Sequence, residues 1–220
     1  MATPQRLPRG AKQRAVIVDE RLAETTPHPV VELDFTSAWQ LLVATILAAQ
    51  STDKMINTIT PVLFARWPTP ADLAAADLAE VEEVVKSSGF FRQKAKTIVA
   101  AANKIVADFG GEVPTDIDAL VTVPGVGRKT ANVVLGAAYR IASGVVVDTH
   151  VTRVAARLGL TKEVDPERIE ADLMKVFPRD RWIDVSHRLI LHGRYVCRAR
   201  SPDCDACALA DACPRVGVEA

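Results

Sequence analysis

The chain has 220 residues, of which 49% are hydrophobic and 25% charged, so it can bury the core of one large domain or of two small ones. Only 5% of the residues are aromatic, and glycine (11) and proline (13) are at ordinary levels, which excludes collagen-like and low-complexity proteins and disfavours a β-sandwich. The 27 basic and 27 acidic residues give a formal net charge of zero, whereas nucleic-acid-binding proteins usually carry a basic excess.

Helical periodicity runs through almost the whole chain. From apolar spacing and capping residues we predict helices over Thr36–Gln50, over a segment capped by Ser51–Asp53, over a short segment opened by Thr69 and Pro70, and over Ala79–Lys86, Gln93–Phe109, Asp116–Val121, Arg128–Tyr139, Asp148–Leu158, Pro166–Val176 and Trp182–Tyr195. Val145–Val147 is typical of a strand, but three residues between helices do not make a sheet. The sequence therefore predicts an all-α fold without internal repeats or disordered linkers.

Three segments are basic even though the chain as a whole is neutral. Residues 86–104 and 187–200 contain no acidic residue, and residues 121–157 contain only Asp148 against five lysines and arginines. Folding can gather such segments on one face, where they would attract a polyanion. Alternatively, each segment is only the solvated face of a helix.

The sequence has no sign of a membrane or secretory segment. No apolar run reaches the roughly 20 residues of a membrane helix, and the polar, basic segment Met1–Lys12 lacks the apolar stretch of a signal peptide. We therefore expect a soluble cytoplasmic protein, and such a location disfavours disulfide bonds.

All four cysteines lie close together near the C-terminus. Cys197, Cys204, Cys207 and Cys213 are separated by six, two and five residues, and this density indicates a metal site. The alternatives are two disulfides and a structural zinc site with four thiolate ligands. Because the spacing matches neither the paired Cys-x-x-Cys of a zinc ribbon nor the ferredoxin pattern, it leaves zinc and iron–sulfur open.

The segment Val123–Thr130 predicts a helix–hairpin–helix. Gly125 and Gly127 permit positive φ angles and close backbone approach, so the turn amides can point outward at a helix N-terminus and bind a DNA phosphate. Gly125, Gly127, Arg128 and Thr130 are therefore candidate DNA contacts that position the protein without reading base sequence. The alternative is an ordinary glycine-rich corner between two helices.

Lys129 and Asp148 are candidate catalytic residues. Lys129 lies in the first turn of the helix after the hairpin, and a neutral amine there can attack a sugar C1′ and form a Schiff base. Asp148 lies at the start of the next helix, where it could assist the amine or stabilise an oxocarbenium-like centre. The alternatives are a phosphate-contacting lysine and a pure helix cap. His150, two residues later, is a candidate DNA contact or an ordinary first-turn residue.

Taken together, these motifs resemble those of the endonuclease III family, the bifunctional glycosylases of the helix–hairpin–helix superfamily. The resemblance covers most of residues 35–214, and its motifs are Leu120–Val134, Val147–Val151, the four cysteines, Leu47–Asp53 and Ser88–Ala95. It implies a Lys129 nucleophile assisted by Asp148, and a [4Fe–4S] cluster on the four cysteines. It also implies that Gln50 and Phe90 fill the gap left by a flipped nucleotide. The alternatives are an ordinary surface residue for Gln50 and a core residue for Phe90.

The resemblance further implies an architecture of two helical lobes flanking a DNA-binding groove. One lobe would be a helical barrel with the helix–hairpin–helix, over residues 31–141. The other would be a discontinuous iron–sulfur domain that joins residues 1–30 to residues 142–220. We expect a monomer without an obligate protein partner, bound to damaged double-stranded DNA.

The predicted function is that of a DNA glycosylase and DNA-(apurinic or apyrimidinic site) lyase. It would remove oxidised pyrimidines of the thymine glycol type by Lys129 attack at C1′ and cleave the strand by β-elimination. One alternative is a non-enzymatic helix–hairpin–helix module with a structural metal. The other is a mismatch-specific glycosylase, a branch that usually lacks the nucleophilic lysine.

Overall fold

In the computed structural model, which describes residues 10–218, the chain forms α-helices joined by short loops. Their bounds in chain order are α1 (Ala11–Thr25), α2 (Ala38–Leu47), α3 (Asp53–Arg66), α4 (Pro70–Ala74), α5 (Leu78–Val84), α6 (Phe91–Phe109), α7 (Ile117–Leu120), α8 (Arg128–Tyr139), α9 (Thr149–Arg157), α10 (Pro166–Val176) and α11 (Trp182–Tyr195). Short 3₁₀ turns cover Lys86–Ser88 and Arg179–Arg181. Residues 10–218 contain no β-strand, so the predicted all-α fold is confirmed. No helix in this range is long and apolar enough to cross a membrane.

The helices form two compact units. One unit takes the described residues up to Val30 and from Gly144 onward, and the other spans Val31–Ser143. The first nine residues of the Met1–Lys12 segment and of the predicted domain 1–30 lie outside the described residues, as do the last two of the predicted segment 142–220. The identification of the units with a helical barrel and an iron–sulfur domain stays a prediction.

The unit Val31–Ser143 is built around α2. Seven of the ten residues of this helix are buried, because it packs against α3, α6 and α8. The fully buried aliphatic side chains of the unit include Leu41, Leu42, Leu47, Ile56, Leu63, Leu73, Ile98, Ile105, Leu120 and Leu135. The end of α2, the start of α6 and the hairpin before α8 are thereby held on a common core.

Several helix ends differ from the sequence prediction by one to three residues, and at two of them the cause is a left-handed residue. Helix α2 ends at Leu47 rather than Gln50, and Gln50 has a φ of 55°, which lies outside the right-handed helical region. Helix α6 begins at Phe91 rather than Gln93, directly after Phe90 with a φ of 47°. In both places a left-handed residue lies near the helix end. Neither glutamine nor phenylalanine favours that conformation, so the sequence does not predict it.

The other unit, formed by the described residues up to Val30 and from Gly144 onward, joins α1 to α9, α10 and α11 around its own core. Helix α1 buries the charged Asp19 beside Ala15, Val18 and Leu22, which explains why apolar periodicity did not reveal this helix. Asp19 pairs with Arg188 at 3.3 Å and with Arg181 at 2.9 Å. These ion pairs attach α1 to the C-terminal part of the chain.

Helices α9 and α11 lie in close contact, and a loop leads directly into α9. A Cβ atom on Gly193 of α11 would lie only 2.8 Å from the Cβ of His150, so the two helices approach because residue 193 has no side chain. The backbone N–H of Val146 donates to Ser186 Oγ of α11 at 2.9 Å. This bond fixes the buried Val145–Val147 segment immediately before Asp148.

Candidate active site and cysteine cluster

The hairpin between α7 and α8 uses its two glycines differently. Gly125 has a φ of +80°, and a Cβ atom there would meet Thr97 Cγ2 at 2.4 Å, so this position needs both a left-handed backbone and the absence of a side chain. Gly127 has a φ of −90°, and a Cβ atom there would meet nothing within 4 Å. The positive φ that glycine permits is therefore used at Gly125 and not at Gly127, which as the N-cap of α8 adopts ordinary extended backbone.

Gly127 leaves the N-terminus of α8 without a side-chain cap. Most helices of the chain begin at a residue whose side chain accepts from the first-turn amides, namely Ser37, Thr52, Thr69, Asp77, Asp116, Asp148 and Asp165. Helix α8 has no such bond. Its start is therefore open to an external anion, since a helix N-terminus attracts negative charge. Arg128 is exposed and Thr130 half-buried at this end of the helix.

Gln50, Phe90 and Gly125 line one cavity of the unit Val31–Ser143. Its volume is about 250 Å³, and the other lining residues are Ile46, Ala49, Gln93, Lys94 and Thr97. Phe90 is 71% exposed, so the alternative of a core phenylalanine is excluded. Gln50 is also exposed. Two exposed, non-glycine residues in the left-handed region at one cavity are typical of a functional site, where strain of about 1–3 kcal/mol is tolerated.

Lys129 and Asp148 belong to different units. Lys129 is exposed in the first turn of α8. Asp148 caps α9, and its Oδ1 atom accepts from the backbone N–H groups of His150 and Val151 at 2.8 Å each. Oδ1 thus does the capping, while Oδ2 takes part in neither bond. The cap role therefore orients the carboxylate and leaves one oxygen for other chemistry.

His150 lies against Arg153 on α9. Its Nδ1 is 3.1 Å from Arg153 Nη2, which makes Nδ1 the acceptor because a guanidinium has only donors. Arg153 also donates to the carbonyl oxygen of Gly193 at 2.8 Å. His150 is thus held in the contact between α9 and α11, and its predicted role in DNA binding stays a prediction.

The four cysteines are free thiols around one cavity in the unit that contains α9, α10 and α11. Three of their sulfurs accept N–H bonds: Cys197 from Arg157 Nη1 at 3.3 Å, Cys207 from the Leu209 amide at 3.4 Å, and Cys213 from the Arg215 amide at 3.4 Å. Burial, followed by the neighbouring thiols, raises the pKa of Cys207 and Cys213. Half-buried thiols of this kind become thiolates when a metal supplies positive charge.

The donor set of this cavity fits a metal site with thiolate ligands. Four cysteine thiolates can hold one zinc ion or an iron–sulfur cluster. Three of the four sulfurs receive N–H bonds, and hydrogen bonds of this kind also reach the sulfurs of iron–sulfur clusters.

Sequence analysis missed the residues that support the cysteine loop. Arg153 Nε donates to the Cys197 carbonyl at 3.1 Å, and Arg157 donates to the carbonyls of Arg198 at 2.7 Å and Ala199 at 3.0 Å. His192 Nε2 lies 3.7 Å from Cys207 Sγ, and burial lowers the pKa of His192 to about 4. The available signal was the i, i+4 spacing of the two arginines, which places them on one face of α9.

The sequence and the fold match known DNA repair proteins. Residues 43–179 match the HhH-GPD superfamily of base excision DNA repair proteins. The chain is 53% identical to the endonuclease III of Synechocystis sp. over 92% of this chain and 93% of the relative, and 40% identical to that of Escherichia coli K12 over 92% and 95%. It also matches the structure of a trapped endonuclease III–DNA covalent intermediate, an estranged-adenine complex, with a TM-score of 0.88 and 38% identity over 98% of this chain and 97% of that one.

Proposed function

The chain belongs to the endonuclease III family of the HhH-GPD superfamily, and from that membership we propose the roles of its residues. The protein is a DNA glycosylase and AP lyase of base excision repair, and its ligand is damaged double-stranded DNA. The observation that carries the residue assignment is the position of Lys129, which is exposed in the first turn of α8 and lies two residues after the uncapped Gly127. The proposed phosphate site and the lysine amine thereby lie two residues apart in the chain.

The substrate class is an oxidised pyrimidine of the thymine glycol type, flipped out of the duplex. An amine on a helix cannot reach a sugar C1′ while the nucleotide is stacked, so extrusion must precede attack. Such a substrate is part of chromosomal DNA. The proposed location of the enzyme is the cytoplasm, in contact with the nucleoid.

Lys129 acts as the nucleophile. Its Nζ atom forms a bond to C1′ while the bond from C1′ to the base nitrogen breaks, and the base leaves with a proton. The C1′–O4′ bond then breaks as the amine loses its proton, so that the sugar ring opens, O4′ becomes a hydroxyl and C1′ becomes an imine carbon. The imine makes the C2′ protons acidic, and removal of one of them expels the 3′ phosphate and cleaves the strand. Hydrolysis of the imine then releases the sugar remnant and regenerates the lysine. Asp148 accepts the amine's proton or stabilises the positive charge that develops at the sugar, through the carboxylate oxygen that does not cap α9.

Gln50 and Phe90 fill the space that the flipped nucleotide leaves. Unstacking costs a few kcal/mol per step, roughly, which an inserted side chain offsets. Both residues are exposed at one cavity, and each adopts a left-handed backbone. Arg128, Thr130 and His150 would add contacts to the DNA backbone.

The two hairpin glycines offer a matched pair of substitutions. Gly125→Ala places a methyl group against Thr97 in a left-handed backbone, so we expect a loss of about 2–4 kcal/mol of stability. Gly127→Ala fits the backbone and meets nothing, so it should fold normally but weaken DNA binding, because the methyl group occupies the phosphate's approach. Melting temperature and binding titrations on the same duplex measure both effects. Equal binding by Gly127→Ala and the wild type would contradict the phosphate site.

The four cysteines would hold a [4Fe–4S] cluster. When bound, this group supplies the positive charge that keeps the thiolates ionised and closes the loop from Cys197 to Cys213, a structural role. Arg157 and the amides of Leu209 and Arg215 would donate to its thiolate ligands.

Metal analysis and one substitution test the cluster. We expect purified protein to be brown, to contain iron rather than zinc, and to lose stability on Cys204→Ser because one ligand is removed. Ala206→Ser, an exposed position in the same loop, is the control and should retain both colour and melting temperature. A colourless, fully active protein with one zinc ion per chain would contradict the cluster.

A panel of lesion duplexes tests the function as a whole. Each duplex carries one damaged or mismatched base, and base release and strand cleavage are scored separately. We expect both products from oxidised pyrimidines. Base release without strand cleavage, confined to mismatches, would indicate the mismatch-specific branch, and binding without either product would indicate a non-enzymatic module.

A further inference from the structure

Lys94 is a buried lysine that the proposed reaction does not use. It is only 6% exposed, and it falls on the core-facing stripe of α6 with Ile98, Ala101 and Ile105. Within the described residues it forms no ion pair with a carboxylate. Burial lowers its pKa, as expected for an ammonium group that has lost water without gaining a counter-ion. A lysine is rarely kept at such a position without a specific partner.

The partner is the turn that carries Phe90. Lys94 Nζ donates to the carbonyl oxygen of Ser88 at 2.7 Å, and Ser88 is itself 2% exposed. The backbone N–H of Lys94 donates to the carbonyl oxygen of Phe90 at 3.1 Å. One residue thus holds the backbone two positions before Phe90 and at Phe90 itself.

This turn needs to be held, because it is strained. Gly89 and Phe90 both have positive φ values, 73° and 47°, and the left-handed conformation costs a non-glycine residue about 1–2 kcal/mol. Phenylalanine lacks the short polar side chain with which asparagine and aspartate tolerate that region. A relaxed turn would also allow the exposed aromatic ring to collapse onto apolar surface.

We propose that Lys94 is a positioning residue: its two hydrogen bonds hold the Ser88–Phe90 turn in the form that presents Phe90 to the DNA. This inference rests on the proposed gap-filling role of Phe90. Lys94 does not touch the reacting atoms, and its ammonium bonds a backbone carbonyl instead of a phosphate. We therefore expect its effect on the reaction to pass through Phe90.

A double-mutant cycle tests that dependence. The variants are Lys94→Met, which keeps the length of the side chain and removes the donor, Phe90→Ala, and the two combined. Lys94→Arg keeps a donor, and Lys96→Met removes the same charge from an exposed position on the same helix. Single-turnover base release is measured on a thymine glycol duplex. In a Lys129→Gln background, the fluorescence of a 2-aminopurine beside the lesion reports unstacking, and melting temperature reports the fold.

We expect Lys94→Met to slow base release about tenfold in the wild-type background and at most about twofold in the Phe90→Ala background, since residues that act through one another are non-additive. The fluorescence rise should shrink, while Lys94→Arg and Lys96→Met stay within about threefold of the wild type. An additive double mutant, or Lys94→Met at the wild-type rate, would overturn the inference. If Lys94→Met does not fold, Lys94→Gln takes its place in the same cycle with the same two outcomes. A Phe90→Ala variant with unchanged activity would instead overturn the gap-filling role proposed above, and this inference with it.

Discussion

Replacing Lys129 with glutamine should abolish both strand cleavage and the covalent trapping of enzyme to damaged DNA by borohydride. Only an imine between a lysine and C1′ can be reduced to a stable adduct, and glutamine forms no imine. The fold should be unaffected, because Lys129 is exposed and a cation in the first turn of a helix is slightly unfavourable. Denaturing electrophoresis of the borohydride-treated complex measures the adduct.

The matched control is Lys54→Gln. Lys54 is also exposed and occupies the second position of α3, as Lys129 does in α8, so the same charge is removed from the same place in a helix. We expect Lys54→Gln to retain trapping. Trapping of Lys129→Gln at the wild-type rate would show that another residue is the nucleophile.

Asp148→Asn should slow base release by about 100-fold or more while DNA binding persists. Removal of a group that moves a proton in the transition state costs roughly this much. Asparagine caps helices as well as aspartate, so the bonds to His150 and Val151 can be kept. The substitution therefore removes the charge without removing the cap, and single-turnover kinetics on a lesion duplex measure the effect.

Asp165→Asn is the control for the cap itself. Asp165 caps α10 in the same way, with one oxygen accepting from the amides of Glu167 and Arg168 at 3.1 Å each. Both asparagine variants should have melting temperatures near that of the wild type, and only Asp148→Asn should lose activity. Equal activities of the two variants would show that Asp148 acts only as a helix cap.

The chemical motifs were predictable because their residues are neighbours in the chain. The four cysteines, the Pro-Gly-Val-Gly turn and the Asp-Thr-His segment each carry their signal within a few residues. The cavity that joins Gln50, Phe90 and Gly125 has no such signal, since it forms only where the end of α2, the start of α6 and the hairpin meet on one core. Periodicity places helices but does not report which of their ends converge.

Backbone conformation was the other property that the sequence concealed. Glycine permits positive φ at both hairpin positions, but only Gly125 adopts it, and Gly127 does not. Conversely, Gln50 and Phe90 adopt positive φ although neither residue type favours it. Lys94 belongs to the basic segment 86–104, but its side chain is buried, because it lies on the core-facing stripe of α6.

At the start of α8, a side-chain cap would raise the stability of the helix but would weaken DNA binding at the proposed phosphate site. Serine or aspartate in place of Gly127 would satisfy the first-turn amides and stabilise the helix by a few tenths of a kcal/mol, roughly, and the open space around this residue would accommodate either side chain. The same side chain would occupy the position proposed for a phosphate, and aspartate would also repel it. A redesign for higher melting temperature would therefore favour serine or aspartate at position 127, whereas selection for DNA repair activity would favour glycine. Heat-resistant variants should be sought at other helix ends.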